Sequence, residues 1–247
     1  MEWGSYEAVL FDLDGVLTNT ASAHAAAWKQ MFDEYLERRA IREHTPFRAF
    51  DIDMDYRSYV DGKPRADGVE SFLRSRAIEL PRGDADDPPD RDSVCGLGNR
   101  KNELLLAMLE RDGVAVFPDG VALLRAVRAR DLRTAVVTSS KNCFEVLHAT
   151  GLVDAFDAVV DGNVVEQLAL AGKPAPDAFL HAAARLGVTP TRAVVLEDAI
   201  AGVEAGHAGG FGLVIGVDRS DGVMADALRA AGADVVTSDL TTLLSQK

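Results

Sequence analysis

The chain has 247 residues, of which 47% are hydrophobic and 26% are charged, and its formal net charge is −13. This length is enough for one large domain or two modest ones, and the composition is that of an ordinary globular protein. A strongly acidic chain repels polyanions, so we expect no nucleic-acid partner and no binding to anionic membranes; no apolar stretch approaches the length that spans a bilayer.

The first predicted element is a buried strand over residues 8–11, which ends at Asp12 and Asp14. Gly15 allows the chain to turn sharply there. Ligands of open parallel sheets bind at the carboxyl ends of strands, and if the strand stays extended the two carboxylates leave on the same side. Such close carboxylates repel, which a hard cation or a shared proton would relieve. Asp-x-Asp-Gly alone also fits an ordinary strand-to-loop turn.

The next part of the chain, residues 19–112, is predicted to be a mostly helical insertion. Apolar residues recur at helical spacing over residues 21–40, 68–77 and 99–111, which predicts three helices. Residues 80–93 are acidic and rich in proline, which predicts an exposed loop.

From Val114 onward, predicted helices alternate with predicted strands. The strands are placed at residues 134–138, 156–160, 193–198 and 211–217, with a last helix, strand and helix after them. This alternation implies right-handed βαβ units and a parallel sheet. We therefore predict an α/β fold, with a Rossmann-like core domain of residues 1–18 and 113–247 interrupted by a helical domain of residues 19–112.

Polar residues follow the strands of this predicted core in four places. They form the motifs FDLDGV, VVTSSKN, GKPAPD and LEDAIAG, in that order. Each motif is common alone, but the four together resemble the haloacid dehalogenase superfamily of phosphohydrolases and phosphomutases over essentially the whole chain. The resemblance implies a parallel-sheet core with an inserted cap domain that determines the substrate.

The resemblance also implies roles in phosphoryl transfer for three residues. Asp12 would be the nucleophile, forming an aspartyl-phosphate that divides one hard transfer into two steps. Asp14 would protonate the leaving oxygen and later take a proton from the acceptor, for which its pKa must be raised toward neutrality. Lys173 would neutralise the charge shared by Asp12 and the phosphoryl group. A surface lysine is the alternative for Lys173.

Mg²⁺ is the cofactor that the resemblance implies. Its ligands would be four acidic residues at predicted strand ends, namely Asp12, Asp14, Glu197 and Asp198. Hard carboxylate oxygens are the ligands that Mg²⁺ prefers. The alternative for Glu197 and Asp198 is a pair that caps the following helix, and one of them can cap while the other binds metal.

Within the superfamily, the motif DLDGVLTNTASAHAAAW is similar to the β-phosphoglucomutase family. The matching substrate-binding positions are Thr20, His24, Trp28, Gly62, Arg65, Lys101 and Asn102 in the insertion, and Thr138, Ser139, Ser140, Lys141 and Asn142 after the second strand. The segment DGKPR places Arg65 where the family has its arginine for the distal phosphate, and a guanidinium suits bidentate phosphate recognition. Thr138 or Ser139, at a strand end that opens a helix, would hold phosphoryl oxygens.

Simpler interpretations exist for the residues of the insertion. His24 fits a surface histidine, Trp28 a core anchor, and Arg65 a solvated loop residue. Two features depart from the family. Lys63 and Pro64 replace small residues, and residues 41–60 and 80–97 are longer than in short-cap members and resemble the subgroup associated with disaccharide phosphorylases.

The resemblance implies a Mg²⁺-dependent phosphomutase that interconverts β-D-glucose 1-phosphate and β-D-glucose 6-phosphate through an aspartyl-phosphate and glucose 1,6-bisphosphate. The alternative is a phosphatase of the same fold that transfers the phosphoryl group of small sugar phosphates to water. A non-catalytic binding protein is disfavoured by the intact set of acidic residues and Lys173.

We expect a monomer whose partner is a small sugar phosphate. Cys95 and Cys143 lack metal or redox spacing and no signal-peptide pattern opens the chain, so we expect a cytoplasmic location.

Overall fold

The computed structural model describes residues 3–244, which form two compact units. One unit, the core unit, contains the chain up to Asn19 and from Val114 onward; the other, the insertion unit, is Thr20–Gly113. This division lies one residue from each end of the predicted insertion, residues 19–112. Within residues 3–244, no helix combines the length and the apolar character needed to cross a membrane.

The regular elements alternate along the core unit as the sequence predicts. The strands are β1 Ala8–Phe11, β2 Arg133–Val137, β3 Ala158–Val160, β4 Ala193–Glu197, β5 Leu213–Val217 and β6 Val235–Thr237. The helices of the insertion unit are α1 Ala21–Glu43, α2 Arg65–Ser75 and α3 Val94–Asp112. Those of the core unit are α4 Pro118–Arg128, α5 Cys143–Ala149, α6 Gly162–Gln167, α7 Asp177–Leu186, α8 Ile200–Ala208 and α9 Ala225–Ala230.

The six strands form one parallel sheet in the order β3-β2-β1-β4-β5-β6, which confirms the α/β fold prediction. The central strand, β1, is completely buried, as expected for a strand covered on both faces. Phe11 pairs with Val136 on one side and with Leu196 on the other. The next residues in register are therefore Asp12, Val137 and Glu197, so sheet pairing places Asp12 beside Glu197.

Side-chain packing holds the helices against this sheet. Phe179 on α7 lies in a core cluster with Val137, Val195 and Val203, so helix residues fill the space beside the central strands. Strand β3 begins two residues later than predicted. Before it, the Asp157 carboxylate accepts a hydrogen bond from the Thr134 N–H at 2.7 Å and the Asp157 N–H donates to the Thr134 carbonyl oxygen at 2.8 Å, so both the side chain and the backbone of Asp157 connect to β2.

The insertion unit has its own core, built on stacked aromatic rings. The ring of Phe32 lies 5.3 Å from Trp28, 5.1 Å from Phe50 and 4.1 Å from Phe72, measured between ring centroids. Each such pair adds about 0.5–1.5 kcal/mol beyond the buried area. These contacts join α1 and α2 to the segment between them, which also contains a short helical turn, Tyr56–Val60.

The loop over residues 80–93 is mostly exposed, as predicted, but it is anchored at two buried side chains. Ser93 donates a hydrogen bond to Asp87 at 2.5 Å and accepts one from the Gly96 N–H at 3.0 Å. Asn99 donates to the Asp87 carbonyl oxygen at 2.8 Å. Because Ser93 caps the helix, α3 begins at Val94 and not near residue 99 as predicted.

Candidate active site

Three buried charged side chains meet at the carboxyl ends of β1 and β4. Lys173 donates hydrogen bonds to Asp12 Oδ1 at 2.5 Å, to Glu197 Oε1, and to the carbonyl oxygen of Val137 at 3.2 Å. Its Nζ also lies 5.0 Å from the ring centroid of Phe179. Lys173 is only 4% exposed, so the surface alternative is wrong for this residue.

The electrostatics of this cluster follow from its burial. Burial raises the pKa of Asp12 well above its usual range, and Glu197 and Asp14 act in the same direction while Lys173 opposes them. Burial acts to lower the pKa of Lys173, but the Asp12 and Glu197 carboxylates outweigh it and raise that pKa. The ammonium therefore stays charged. Burial and the neighbouring carboxylates thus disfavour the charged form of Asp12, which a shared proton or a further cation at this edge of the sheet would relieve.

The donor atoms of this edge fit Mg²⁺. Carboxylate oxygens of Asp12, Glu197 and Asp198 all lie within 4.8 Å of one another. Glu197 is already engaged on both oxygens, because Oε1 contacts Lys173 and Oε2 accepts the Ala199 N–H at 3.0 Å. The capping alternative thus describes one contact of Glu197, and Asp12 and Asp198 supply the other carboxylate oxygens of the group.

Asp14 lies in a turn and not in the strand. β1 ends at Phe11, so the strand alternation that would place Asp12 and Asp14 on one side does not apply. Asp14 Oδ1 accepts a hydrogen bond from the Thr18 hydroxyl at 3.2 Å, and the turn is closed by the Gly15 N–H, which donates to the Thr18 carbonyl oxygen at 2.8 Å. Asp14 is not in the three-carboxylate group, so its place as a metal ligand stays a prediction.

The run from Thr138 to Asn142 forms an ordered turn directly after β2. Thr138 is buried and its hydroxyl accepts the Ser140 N–H at 3.1 Å, while the Ser140 hydroxyl accepts the Asn142 N–H at 3.2 Å. Lys141 forms an ion pair with Glu166 at 2.7 Å. Ser139, between Thr138 and Ser140, is half-buried. β2 is the neighbour of β1, so this turn lies at the same sheet edge as Asp12.

In the insertion unit, three predicted substrate-binding residues form one cluster. Lys101 on α3 is buried, and its Nζ lies 3.1 Å from His24 Nδ1 and 5.1 Å from the ring of Trp28. The two nitrogens are within hydrogen-bond distance of each other. His24 is therefore not a free surface residue, and Trp28 also serves as the predicted core anchor.

The remaining predicted positions of the insertion lie at helix ends or beside this cluster. Arg65 is the first residue of α2, not a loop residue, and its side chain lies against α3, where a methyl group at Gly98 would be 3.3 Å from the Arg65 Cγ. Gly62 has φ +69°, and Thr20 is the buried N-cap residue of α1. Asn102 follows Lys101 on α3.

Sequence reasoning missed one polar contact beside the site, the ion pair between Arg219 and Asp119, whose closest atoms are 2.8 Å apart. The available signal was the position of Arg219, two residues beyond the end of β5, where polar residues of a parallel sheet gather. Its partner lies 100 residues away in the sequence, at the start of α4, and no local pattern links the two.

Comparison with known proteins finds similarity over most of the chain. Residues 6–210 match a family model described as haloacid dehalogenase-like hydrolase. The chain is 54% identical over 238 residues to a β-phosphoglucomutase of Mycobacterium tuberculosis, covering 96% of this chain and 91% of that protein. It is 30% identical over 213 residues to the fructose-1-phosphate phosphatase YqaB of Escherichia coli, covering 85% and 95%. The solved structure of CbbY from Rhodobacter sphaeroides in complex with xylulose-(1,5)bisphosphate is 25% identical, with a TM-score of 0.70 over 96% of each chain.

Proposed function

The chain belongs to the haloacid dehalogenase-like hydrolases and, within them, to the β-phosphoglucomutase family, and from this premise we propose that it interconverts β-D-glucose 1-phosphate and β-D-glucose 6-phosphate. The 54% identity to a β-phosphoglucomutase supports the coarser statement that the chain is a sugar-phosphate phosphomutase. The observation that carries the chemistry is the buried contact of Lys173 with Asp12 and Glu197.

In the first half-reaction, Asp12 attacks the phosphorus atom of a phosphorylated donor. Lys173 engages Asp12 Oδ1, so we assign the attack to Oδ2. The new bond joins Asp12 to phosphorus, the bond from phosphorus to the sugar oxygen breaks, and Asp14 donates its proton to that oxygen. Lys173 compensates the negative charge of the transferring group.

In the second half-reaction, the free hydroxyl of a sugar monophosphate, such as the 6-hydroxyl of β-D-glucose 1-phosphate, attacks the aspartyl-phosphate and yields the bisphosphate, which then serves as the phosphorylated donor through its other phosphate. Asp14 removes the proton of this hydroxyl, the bond from phosphorus to Asp12 breaks, and the carboxylate is regenerated. Glucose 1,6-bisphosphate is the intermediate that links the two monophosphates, so each turnover needs both phosphates to be held in turn. Mg²⁺, held by Asp12 and Asp198 with Glu197 and Asp14 as further oxygen donors, would lower the charge repulsion between phosphate and carboxylate.

We further propose that the insertion unit is a cap that recognises the sugar and the phosphate that does not react. Arg65 would bind that phosphate through two parallel hydrogen bonds. The cluster of His24, Trp28 and Lys101 offers a ring nitrogen, an aromatic ring and a cation, which suit a sugar phosphate. Thr20, Gly62 and Asn102 complete the proposed set. On the core unit, the turn from Thr138 to Asn142 would hold the phosphoryl oxygens. We propose that the enzyme acts as a cytoplasmic monomer.

A phosphatase is the second candidate, and one observation favours it. The phosphatase YqaB shares 30% identity over 95% of its length, so the core residues alone do not separate transfer to a sugar from transfer to water. The difference depends on whether the aspartyl-phosphate is protected from water until the second hydroxyl arrives.

A coupled assay distinguishes the two candidates. Pure β-D-glucose 1-phosphate with Mg²⁺ and a trace of glucose 1,6-bisphosphate is followed for glucose 6-phosphate and, in parallel, for inorganic phosphate. The proposal requires glucose 6-phosphate to exceed free phosphate by at least about 100-fold, since a mutase must exclude water from its intermediate. Stoichiometric release of free phosphate would establish the phosphatase instead. The α-anomer and Asp12→Asn are the controls.

A further inference from the structure

Arg219, two residues beyond the end of β5, holds the backbone turn that follows Asp14. Its Nε donates to the Gly15 carbonyl oxygen at 2.9 Å, and its Nη2 donates to the Val16 carbonyl oxygen at 3.4 Å. Its two terminal nitrogens form a bidentate ion pair with Asp119 at 2.8 and 3.1 Å. The guanidinium therefore joins one carboxylate to two carbonyl groups of the turn.

The guanidinium is itself fixed in place. Asp119 Oδ2 also accepts the Leu240 N–H at 3.0 Å, and the guanidinium carbon of Arg219 lies 4.0 Å from the ring centroid of Phe117. The two charged side chains are 18% and 14% exposed, so their attraction is screened less than that of a surface pair. Because Asp119 and Phe117 hold the planar guanidinium on one side, it can fix the positions of the Gly15 and Val16 carbonyl oxygens on its other side.

The turn that Arg219 holds is closely confined by its neighbours. Gly15 has φ +84° and lies against the Asp198 carboxylate, whose farther oxygen would be 2.9 Å from a methyl group at this position. The Val16 carbonyl lies against Gly120, where a methyl group would overlap it. The turn is thus bounded on two sides, and Arg219 supplies directed hydrogen bonds. Asp14 is bonded directly to Gly15, so a shift of the turn moves the Asp14 carboxylate.

We propose that Arg219, held by Asp119, is a positioning residue that keeps the Asp14 carboxylate in place for proton transfer. Arg219 itself touches no reacting atom. The assay of this inference rests on the proposed phosphomutase function, in which Asp14 gives a proton to the leaving sugar oxygen. Proton transfer depends steeply on placement, and a misplacement of about 1 Å costs on the order of 100-fold in rate.

The test variant is Arg219→Lys, because lysine keeps the charge but one ammonium cannot span Asp119 and two carbonyl oxygens. We expect kcat for β-D-glucose 1-phosphate to fall about 10- to 100-fold, with KM changed less than about threefold. Formation of the aspartyl-phosphate from acetyl phosphate, whose leaving group needs no proton from Asp14, should slow less than about threefold in a single turnover. The matched control, Arg192→Lys, alters an exposed ion pair with Glu7 and should leave both rates unchanged.

Amide hydrogen exchange provides a measurement that does not depend on turnover. The Gly15 N–H donates to the Thr18 carbonyl oxygen at 2.8 Å, and the Thr18 N–H donates to Leu13 at 2.9 Å. In Arg219→Lys we expect the peptide that carries these amides to exchange about tenfold faster, while peptides from β4 are unchanged. Asp119→Asn should change the exchange and the two rates in the same directions, and it carries the test if Arg219→Lys does not fold.

Three results would overturn the proposal. Equal losses with β-D-glucose 1-phosphate and acetyl phosphate would make Arg219 a general structural residue, and unchanged rates with both would remove its role. Unchanged exchange of the Gly15–Thr18 amides would show that the turn does not depend on the guanidinium. Failure of the proposed function would appear separately, as absence of glucose 6-phosphate formation by the unaltered protein, and the exchange measurement would still decide whether Arg219 holds the turn.

Discussion

A single methyl group added at Gly202 tests the geometry of the site. Gly202 lies in α8, where helix propensity alone favours alanine by about 1 kcal/mol. In the structure, a Cβ at this position would overlap the Glu197 side chain, and even the farther carboxylate oxygen, Oε2, would be only 2.5 Å away. In Gly202→Ala, the gain in helix propensity is therefore set against a steric clash with the buried carboxylate of Glu197.

The magnitude follows from the contacts that Glu197 would lose. Lys173 engages its Oε1 and the Ala199 N–H engages its Oε2, so the carboxylate cannot move aside without breaking a buried contact. Separating a buried ion pair costs about 3–5 kcal/mol, which exceeds the gain in helix propensity of about 1 kcal/mol. We therefore expect Gly202→Ala to lower the free energy of unfolding by about 2–4 kcal/mol. Because Lys173 also holds Asp12, kcat should fall on the order of 100-fold.

Urea unfolding and the coupled mutase assay measure the two effects. The matched control is Gly206→Ala, one turn later in α8, where a Cβ would be 3.2–3.3 Å from methyl groups of Val214 and Val195 and would meet no carboxylate. Crowding there would lower stability by about 1–3 kcal/mol while leaving kcat within about threefold. A Gly202→Ala protein that is more stable than the parent and fully active would refute this placement of Glu197 and the role assigned to Lys173.

Four other substitutions have expected outcomes. Asp12→Asn should abolish both mutase and phosphatase turnover, and residual activity above about 1% of the parent rate would place the nucleophile elsewhere. Asp14→Asn should slow transfer from sugar phosphates by about 10²–10⁴-fold and affect acetyl phosphate less; equal losses would contradict its acid/base role. Arg65→Lys should strongly depress isomerisation in the coupled assay while sparing acetyl phosphate hydrolysis, whereas no change in either would misplace the distal-phosphate site. Tyr35→Phe removes a buried hydroxyl that has no hydrogen-bond partner among the described residues. Urea unfolding should therefore show a free energy of unfolding that is unchanged or raised by up to about 1–3 kcal/mol, and a loss above about 1 kcal/mol would contradict this.

The sequence by itself determined the class of fold and the motifs of the site. Apolar runs such as Ala8–Phe11 predict buried strands, because a strand covered on both faces needs apolar side chains on both. The order of motifs identified the carboxylates and the lysine, because each motif is a local arrangement of residue types after a strand. Local patterns were weaker at element ends. The start of α3 at Val94 depends on the side chain of Ser93 in a loop that composition describes only as acidic and polar.

Only the tertiary structure decided how the site residues contact one another. Strand order places β1 between β2 and β4, so that Asp12 meets Glu197 and, through the loop before α7, Lys173. Glu197 contacts Lys173 and a backbone N–H. The sequence alone does not distinguish Glu197 from Asp198, which has the same charge and lies at the same strand end. The ion pair between Arg219 and Asp119 joins the loop after β5 to the start of α4, 100 residues away in the sequence. Such contacts depend on which strands are neighbours, and this pairing is a property of the whole sheet that no local stretch of sequence carries.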